Sequence, residues 1–344
     1  MKAAVLEGID SLVLRELPKP SVDSDSMLIR VRACTICGSD VKILHNGNPR
    51  VKYPAVIGHE IAGEIVEVGK NVSGFSAGDR VAVGADVPCG SCDYCKNGMG
   101  NCCDLNYAIG YQFPGGFAEY CLLNGTTVKY GPIAKMPAKM TYEEGALAEQ
   151  LGCVLNGLEL AQMKEGKSVL VLGAGPVGCL ISNAASAMGA SRIIVSDPNQ
   201  NRRESAKKFG ADILANPADL VQTAKAATNN KGCDIVMVAV PSLEAQESAI
   251  RCVAKRGFVN FFAGIPKTKS SQLSVDSNFL HYNEVFLFGS HGCVPRHHKA
   301  AVDMIASGKI NTKDLITHSF PLDKIKEAFS FVASLEGLKV VINP

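Results

Sequence analysis

The sequence predicts an α/β protein in two parts: a β-rich domain first, then a doubly wound parallel sheet. Three observations carry that expectation. A chain of 344 residues is too long for one typical hydrophobic core. Its first 150 or so residues break into short β segments punctuated by Gly and Pro. After that point apolar strands alternate with helical stretches, the pattern of a parallel sheet.

In order along the chain, "SMLIRVRAC", "IAGEIVEVG", "DRVAVGA" and "FAEYCLL" read as strands whose even spacing suits a barrel or sandwich. "SVLVLGAG" is an apolar run ending in glycines, and "PVGCLISNAASAMGA" is a small-residue helix with Gly189 near its end. "RIIVSD" is a second strand and "NQNRRESAKKFGA" a polar helix. "CDIVMVAV", "SLEAQESAIRCVAK" and "GFVNFFAGI" continue the alternation. From about residue 289 the texture is mixed and ends in the strand-like "LKVVIN". No internal repeat or low-complexity segment interrupts this order.

Apolar residues make up 47% and charged residues 20%, ordinary values for a globular chain. A net charge of +2 gives no support for a nucleic-acid-binding face. The start "MKAAVLEGIDSLVL" carries Glu7 and Asp10 where a signal peptide needs an apolar run. No apolar stretch of about 20 residues appears. The expectation is a soluble cytoplasmic protein with no membrane or nucleic-acid partner.

In a reducing compartment, clustered cysteines are metal ligands or catalytic groups more often than disulfides. Of 13 cysteines, five fall in "CGSCDYCKNGMGNCC": Cys89, Cys92, Cys95, Cys102 and Cys103. Cys121, Cys179, Cys233 and Cys252 lie among apolar residues and read as small buried hydrophobes.

"GAGPVG" places Gly173, Gly175 and Gly178 in a G-x-G-x-x-G pattern, with Pro176 and Val177 between them. The context is a strand before it, a helix opening at it, and a second strand ending at Asp197. Gly173 permits a tight turn, Gly175 lets the backbone approach a pyrophosphate, and Gly178 lets helix and strand pack closely. Asp197 can accept hydrogen bonds from ribose hydroxyls and repels a 2′-phosphate, so NAD is favoured over NADP. Arg202 and Arg203 pull the other way, since basic residues beyond this strand can grip a phosphate; on a solvated helix face they would do nothing of the kind.

Upstream, "CTICGSD" and "GHEIAGEIVEVGKNV" supply Cys37, Ser39, Asp40, His59 and Glu60. Thiolate, imidazole and carboxylate are the ligand types of a catalytic zinc with one open position. No local spacing joins residues 37 and 59, so a core histidine and a buried thiol remain alternatives here. Cys34 and Cys37 form a C-x-x-C. "LIRVRAC" reads as a strand leading into it, though, and no helix opens at Cys34 as a thioredoxin-like motif requires.

"GHEIAGEIVEVGKNV" resembles the zinc signature of the medium-chain dehydrogenases. "CGSD", "GDRV", "GGFAEY" and "GAGPVG" occur in the order that family shows, over nearly the whole chain. The resemblance implies a GroES-like catalytic domain from both ends of the chain, 1–151 and 289–344, with a Rossmann domain, 152–288, inserted between them and the active site in the cleft. It implies Cys37 and His59 as catalytic zinc ligands, Asp40 behind His59, and Ser39 as the first member of a proton relay. "ALAEQLGCV" is similar to the corresponding segment of the polyol dehydrogenases. It places Glu149 where they carry a glutamate, and Gln150 where liver-type alcohol dehydrogenases carry a cysteine. In the polyol branch Glu60 itself can ligate zinc, with Glu149 close by or exchanging with water. Lys42 stands where many relatives carry the last histidine of the relay, so that the path ends at His45, at water, or directly in solvent. Cys89, Cys92, Cys95 and Cys103, spaced C-x2-C-x2-C-x7-C, match the family's structural-zinc lobe, with Cys102 a bystander.

The implied reaction is reversible hydride transfer between NAD(H) and a secondary alcohol, with two zinc ions per chain, in a homodimer or homotetramer. Cys37, His59, Glu60 and Glu149 would surround the catalytic zinc, with Ser39, Asp40, Glu60 and Glu149 acting in catalysis. Gly173, Gly175, Pro176, Val177, Gly178, Asp197 and Arg202 would hold the cofactor. "HGCVPRHHK" is the most basic short run, and His45, Arg296 and His297 are candidate contacts to a polyol or its phosphate. The competing readings are a threonine-type or simple alcohol dehydrogenase, and a catalytically silent nucleotide-binding or structural protein on the same scaffold. The intact Cys37, Ser39, Asp40, His59 and Glu60 set argues against the last.

Overall fold

A computed structural model describes residues 1–266 and 270–344, in two compact units. The first unit comprises Met1–Cys153, Gly292–Gly308 and Thr312–Pro344. Its main sheet has the strand order Ile133–Lys135, Arg80–Val83, Glu60–Val68, Met27–Thr35, Lys339–Asn343, Ile316–Pro321, with Tyr120–Leu123 paired onto Met27–Arg30. Met27–Thr35 is the centre because nearly every residue in it is buried. Ile29, Val31, Ile61, Ile65, Val81, Phe117, Phe329 and Ile342 close the core around it.

The strand Lys339–Asn343 enters the sheet built on Met27–Thr35. Val341 pairs with Thr35 and Ile342 with Cys34, antiparallel. On the other side of the same strand, Thr35 pairs with Glu60. This double register positions the candidate site: the chain leaves one strand at Thr35 just where it enters the other at Glu60, so Cys37 and His59 become neighbours.

The second unit, Val154–His291 with Lys309–Asn311, holds a six-stranded parallel sheet. In spatial order its strands are Ile213–Ala215, Arg192–Ser196, Ser168–Leu172, Cys233–Val238, Val253–Phe261 and Phe286–Gly289. Numbered by sequence within the unit, that is 3-2-1-4-5-6, the doubly wound order whose direction reverses beside the first strand. The α/β expectation, a β-rich part with a Rossmann sheet, is borne out. Among the described residues, no helix is long and apolar enough to cross a membrane.

Candidate active site

The strand Met27–Thr35 ends two residues before Cys37, which caps the helix Gly38–Asn46 in an extended conformation. Asp40 lies in the first turn, wholly buried, and one of its oxygens accepts the Cys37 N–H at 2.9 Å. Its other oxygen stands 3.3 Å from His59 Nδ1. Burial pushes the His59 imidazole down, but the Asp40 carboxylate overrides it and leaves the ring well above the ordinary histidine range. Nδ1 faces Asp40, which leaves Nε2 for a ligand, and Ser39 Oγ lies 3.3 Å from it.

The Cys37 thiol, a His59 nitrogen and a Glu60 oxygen all lie within 4.8 Å of one another. Zinc bonds about 2.0–2.3 Å long separate tetrahedral ligand atoms by about 3.3–3.8 Å, so these groups fit an ion with small inward shifts. Thiolate, imidazole and carboxylate are also the donor set zinc takes.

Glu60 has a second commitment. It accepts a short hydrogen bond from the Thr35 hydroxyl, and the Lys339 ammonium lies 2.7 Å from one carboxylate oxygen and 2.5 Å from the other. Both side chains of this ion pair are buried, Lys339 at 1% exposure and Glu60 at 0%. Burial alone would lower the Lys339 ammonium, yet Glu60 and then Cys37 hold it above the usual lysine value. Sequence reasoning missed Lys339; its signal was a lone charge in the apolar strand "LKVVIN".

Glu149 opens the helix Ala148–Leu160 and is buried, but it is not one of the three clustered ligands. Burial first, then the negative charge of Glu60 and Asp86, raises its carboxyl to about 7. Cys153 approaches Glu149 Oε1 at 3.6 Å, a weak contact. Tyr111 was also missed. Its ring centroid lies 5.7 Å from that of His59.

Of the weaker candidates, His45 lies in the last turn of its helix, exposed and paired with Asp10 at 2.5 Å. Arg296 is exposed, whereas His297 is buried with Nδ1 turned back to its own helix start, accepting from the Val294 N–H at 3.5 Å. His298 is wholly buried, its imidazole pushed down to about 4 by burial. The run "HGCVPRHHK" is thus half core. It opens the amphipathic helix Pro295–Ala306, and His298 falls on the apolar face with Ala301, Val302 and Ile305.

Cys89, Cys92, Cys95 and Cys103 form a second cluster, their sulfurs all within 4.8 Å. The separations are 3.8 Å for Cys89–Cys95, 3.4 Å for Cys92–Cys95 and 3.9 Å for Cys92–Cys103. A tetrahedron of thiolates about 2.3 Å from zinc has edges of about 3.8 Å, whereas a disulfide would need about 2.05 Å. Hydrogen bonds from Ser91 and Cys92 lower the Cys89 thiol to about 6, while burial and its neighbours push Cys95 up to about 12. Cys102 is exposed.

In the second unit, Gly175 caps the helix Pro176–Ala187, with Pro176 in its first turn. Gly173 has φ +106°, and a Cβ on Gly178 would lie 1.8 Å from the Gly173 carbonyl oxygen, so no side chain fits there. Asp197 is buried at the end of Arg192–Ser196. It accepts the Ala174 N–H at 2.9 Å through one oxygen and the Asn199 N–H at 2.8 Å through the other. The Arg202 guanidinium lies 4.0 Å from where a Cβ on Gly175 would sit, beside the helix N-terminus.

Residues 23–137 match the alcohol dehydrogenase GroES-like domain, and residues 176–307 match the zinc-binding dehydrogenase family. The chain is 34% identical to the sorbitol dehydrogenase of Bacillus subtilis, over 100% of this chain and 97% of that one. It is 35% identical to the L-threonine 3-dehydrogenase of Pyrococcus abyssi, over 96% and 94%. A Sinorhizobium meliloti protein described as a zinc-binding dehydrogenase, bound to NADP, superposes with a TM-score of 0.92 at 29% identity, covering 100% of this chain and 99% of that one.

Proposed function

The chain belongs to the zinc-containing medium-chain dehydrogenases, as a zinc-dependent alcohol or polyol dehydrogenase, and from that premise we propose that it reversibly oxidises a polyol, a sugar alcohol or its phosphate with NAD. The observation that carries this reading is the Cys37–His59–Glu60 cluster with Asp40 on the far nitrogen of His59.

Cys37, His59 and Glu60 would hold the catalytic zinc, with Glu149 or water completing its surroundings. That ion would supply the Lewis acidity that makes an alcohol hydroxyl easy to deprotonate near neutral pH. A nicotinamide cofactor at the glycine loop would supply the hydride acceptor. The remaining work falls to this chain's own groups. Asp40 fixes the tautomer of His59 so that Nε2 presents a lone pair. Ser39, 3.3 Å from that nitrogen, would receive the alcohol proton. Lys339 offsets the charge of Glu60, whose carboxylate would face both this ammonium and the metal when one is bound. Glu149, with its carboxyl raised to about 7, can donate or accept a hydrogen bond near neutral pH, which suits a substrate bearing a second hydroxyl. Cys89, Cys92, Cys95 and Cys103 would hold a second zinc in a closed site that orders a loop without a core of its own.

Gly173, Gly175, Pro176, Val177 and Gly178 would cradle the pyrophosphate, with Arg202 beside it. Asp197 would face the ribose, and its negative charge favours NAD over NADP. We further expect a cytoplasmic homodimer or homotetramer. The 35% identity to a threonine dehydrogenase keeps a threonine-type or simple secondary-alcohol enzyme as the second reading.

The test is a panel of hexitols, pentitols, their phosphates, threonine, butanediol and simple alcohols, each with NAD and NADP, on zinc-replete protein. The expected result is the highest kcat/KM for a polyol with NAD. The best rate on threonine selects the second reading, and no nicotinamide reduction with any member sinks both.

A further inference from the structure

We propose that the second unit carries a binding site for an oligophosphate at the end of its sheet away from the glycine turn, with Arg192, Lys225, Lys231, Arg251 and Lys255 as its anion-binding groups. The inference goes beyond the dehydrogenase reading and does not depend on it. In a parallel sheet all strands start at the same end. Here Ser168 pairs with Arg192, Val169 with Ile235, and Cys233 with Val253, so the starts of four strands stand side by side. The glycine turn at Gly173 follows the other end of Ser168–Leu172, about 16 Å away at about 3.3 Å per residue.

A recess of about 860 Å³ lies along those strand starts, large enough for a small-molecule ligand. Six charged side chains line it, the five cations and Asp234. Asp234 is already committed. It pairs with Lys167 at 3.0 Å and accepts from the Ser168 N–H at 2.9 Å and the Ser168 hydroxyl at 2.7 Å. Among the described residues, none of the five cations makes an ion pair. The chain as a whole carries a net charge of only +2, so this is a local concentration of positive charge.

Helix ends account for part of the cluster. Lys225 and Arg251 lie in the last turns of Leu220–Ala227 and Leu243–Cys252, where a cation meets the negative end of a helix. The other three have no such partner. Arg192 opens a strand, and Lys231 lies in a turn fixed by Thr228, whose hydroxyl accepts the Gly232 N–H at 2.9 Å and donates to the Ala224 carbonyl at 2.7 Å. Lys255 sits where the register shifts between Cys233–Val253 and Ile235–Phe258, so that residues 254–257 bulge from the ladder. Like charges around one concavity repel, and a compact polyanion turns that repulsion into attraction. The two guanidinium forks each match two phosphate oxygens, and the three ammoniums act as point charges. A triphosphate brings several negative charges into one recess, whereas a carboxylate brings one and a polyol none.

The experiment titrates the full-length, zinc-replete protein with tripolyphosphate in a calorimeter, in magnesium-free buffer of low ionic strength and with NADH saturating so that the glycine turn is occupied. The expected result is one saturable site per chain. Lys231→Ala/Lys255→Ala should weaken it roughly tenfold or more, since two charges leave the recess. Lys70→Ala/Lys139→Ala removes two exposed lysines that do not line the recess, and should leave the affinity within about twofold of wild type. All four side chains are exposed, so both double variants should keep the wild-type Tm. A parallel titration with ATP separates the sources of the triphosphate: tighter binding than tripolyphosphate points to a nucleotide, equal or weaker binding to the free oligophosphate. Absence of saturable binding to wild type overturns the proposal. So does equal weakening in the two double variants, which would reduce the effect to net charge. Neither result bears on whether the protein oxidises an alcohol.

Discussion

Replacing Lys339 by Met tests whether Glu60 is held by a buried charge pair. Lys339 and Glu60 are 1% and 0% exposed, with the ammonium 2.5–2.7 Å from the carboxylate oxygens. Removing one partner leaves the other charge buried and uncompensated, at a cost of about 3–5 kcal/mol. For a unit of this size that is a drop of about 6–20 °C in Tm. The double variant Lys339→Met/Glu60→Gln removes both charges and should regain most of the loss, because a buried pair contributes little beyond compensating its own desolvation. The pH dependence adds a second check. Lys339 is raised above its usual value, so its contribution is fully present below its unfolded pKa of about 10.4 and is lost only as pH rises through the higher folded one. The lysine's own contribution should therefore not vary from pH 6 to 9. Thermal unfolding of wild type and the two variants, zinc-free so that no metal charge offsets Glu60, measures all of this. A single variant within about 1 kcal/mol of wild type, or single and double variants equally destabilised, would falsify the reasoning.

The other predictions concern separate parts of the molecule. His298, buried and lowered to about 4, protonates more readily unfolded than folded, so it contributes stability above about pH 6.5 that is lost as pH falls. By pH 5 the loss reaches about 2 kcal/mol, and denaturant titrations should show His298→Gln with a flatter profile between pH 5 and 8. Cys95→Ser should remove one zinc of two by metal analysis, while Cys102→Ser should keep both. A Cys102 variant that loses zinc would mean that the fourth ligand has been misassigned. Asp197→Ala should raise the NADP-to-NAD ratio of kcat/KM by roughly tenfold, since one charge is removed from beside the 2′ position. An unchanged ratio would move cofactor choice to Arg202 or elsewhere.

The nucleotide-binding unit was legible because its information is local. Strand, glycine turn, helix and second strand follow one another within about 30 residues, and Gly178 tolerates no Cβ. The four-cysteine lobe was legible for the same reason. The catalytic cluster was not, because residues 37 and 59 meet only through the pairing of Thr35 with Glu60. That register is a property of the folded sheet, and only the family resemblance supplied it in advance. Lys339 and Tyr111 lay further out of reach, each arriving from an element whose local pattern says nothing of its neighbours. The basic run before residue 300 misled in the opposite direction. Its charges drew the eye, while the i, i+3, i+4, i+7 spacing of His298, Ala301, Val302 and Ile305 already placed one of its histidines on the apolar face.

The entry of Lys339–Asn343 between Met27–Thr35 and Ile316–Pro321 has a consequence for synthesis. Pairing Thr35 with Val341 closes a loop of about 300 residues. Until that strand emerges from the ribosome, the central strand Met27–Thr35 has an unpaired edge at Cys34–Thr35, and Glu60 lacks its Lys339 counter-ion. The parallel sheet of the second unit needs no segment from the chain ends, so it can fold while the earlier part waits. Maturation of the catalytic centre is thereby tied to the synthesis of Lys339–Asn343. An ion captured earlier would meet Cys37, His59 and Glu60 without the lysine that neutralises one of them.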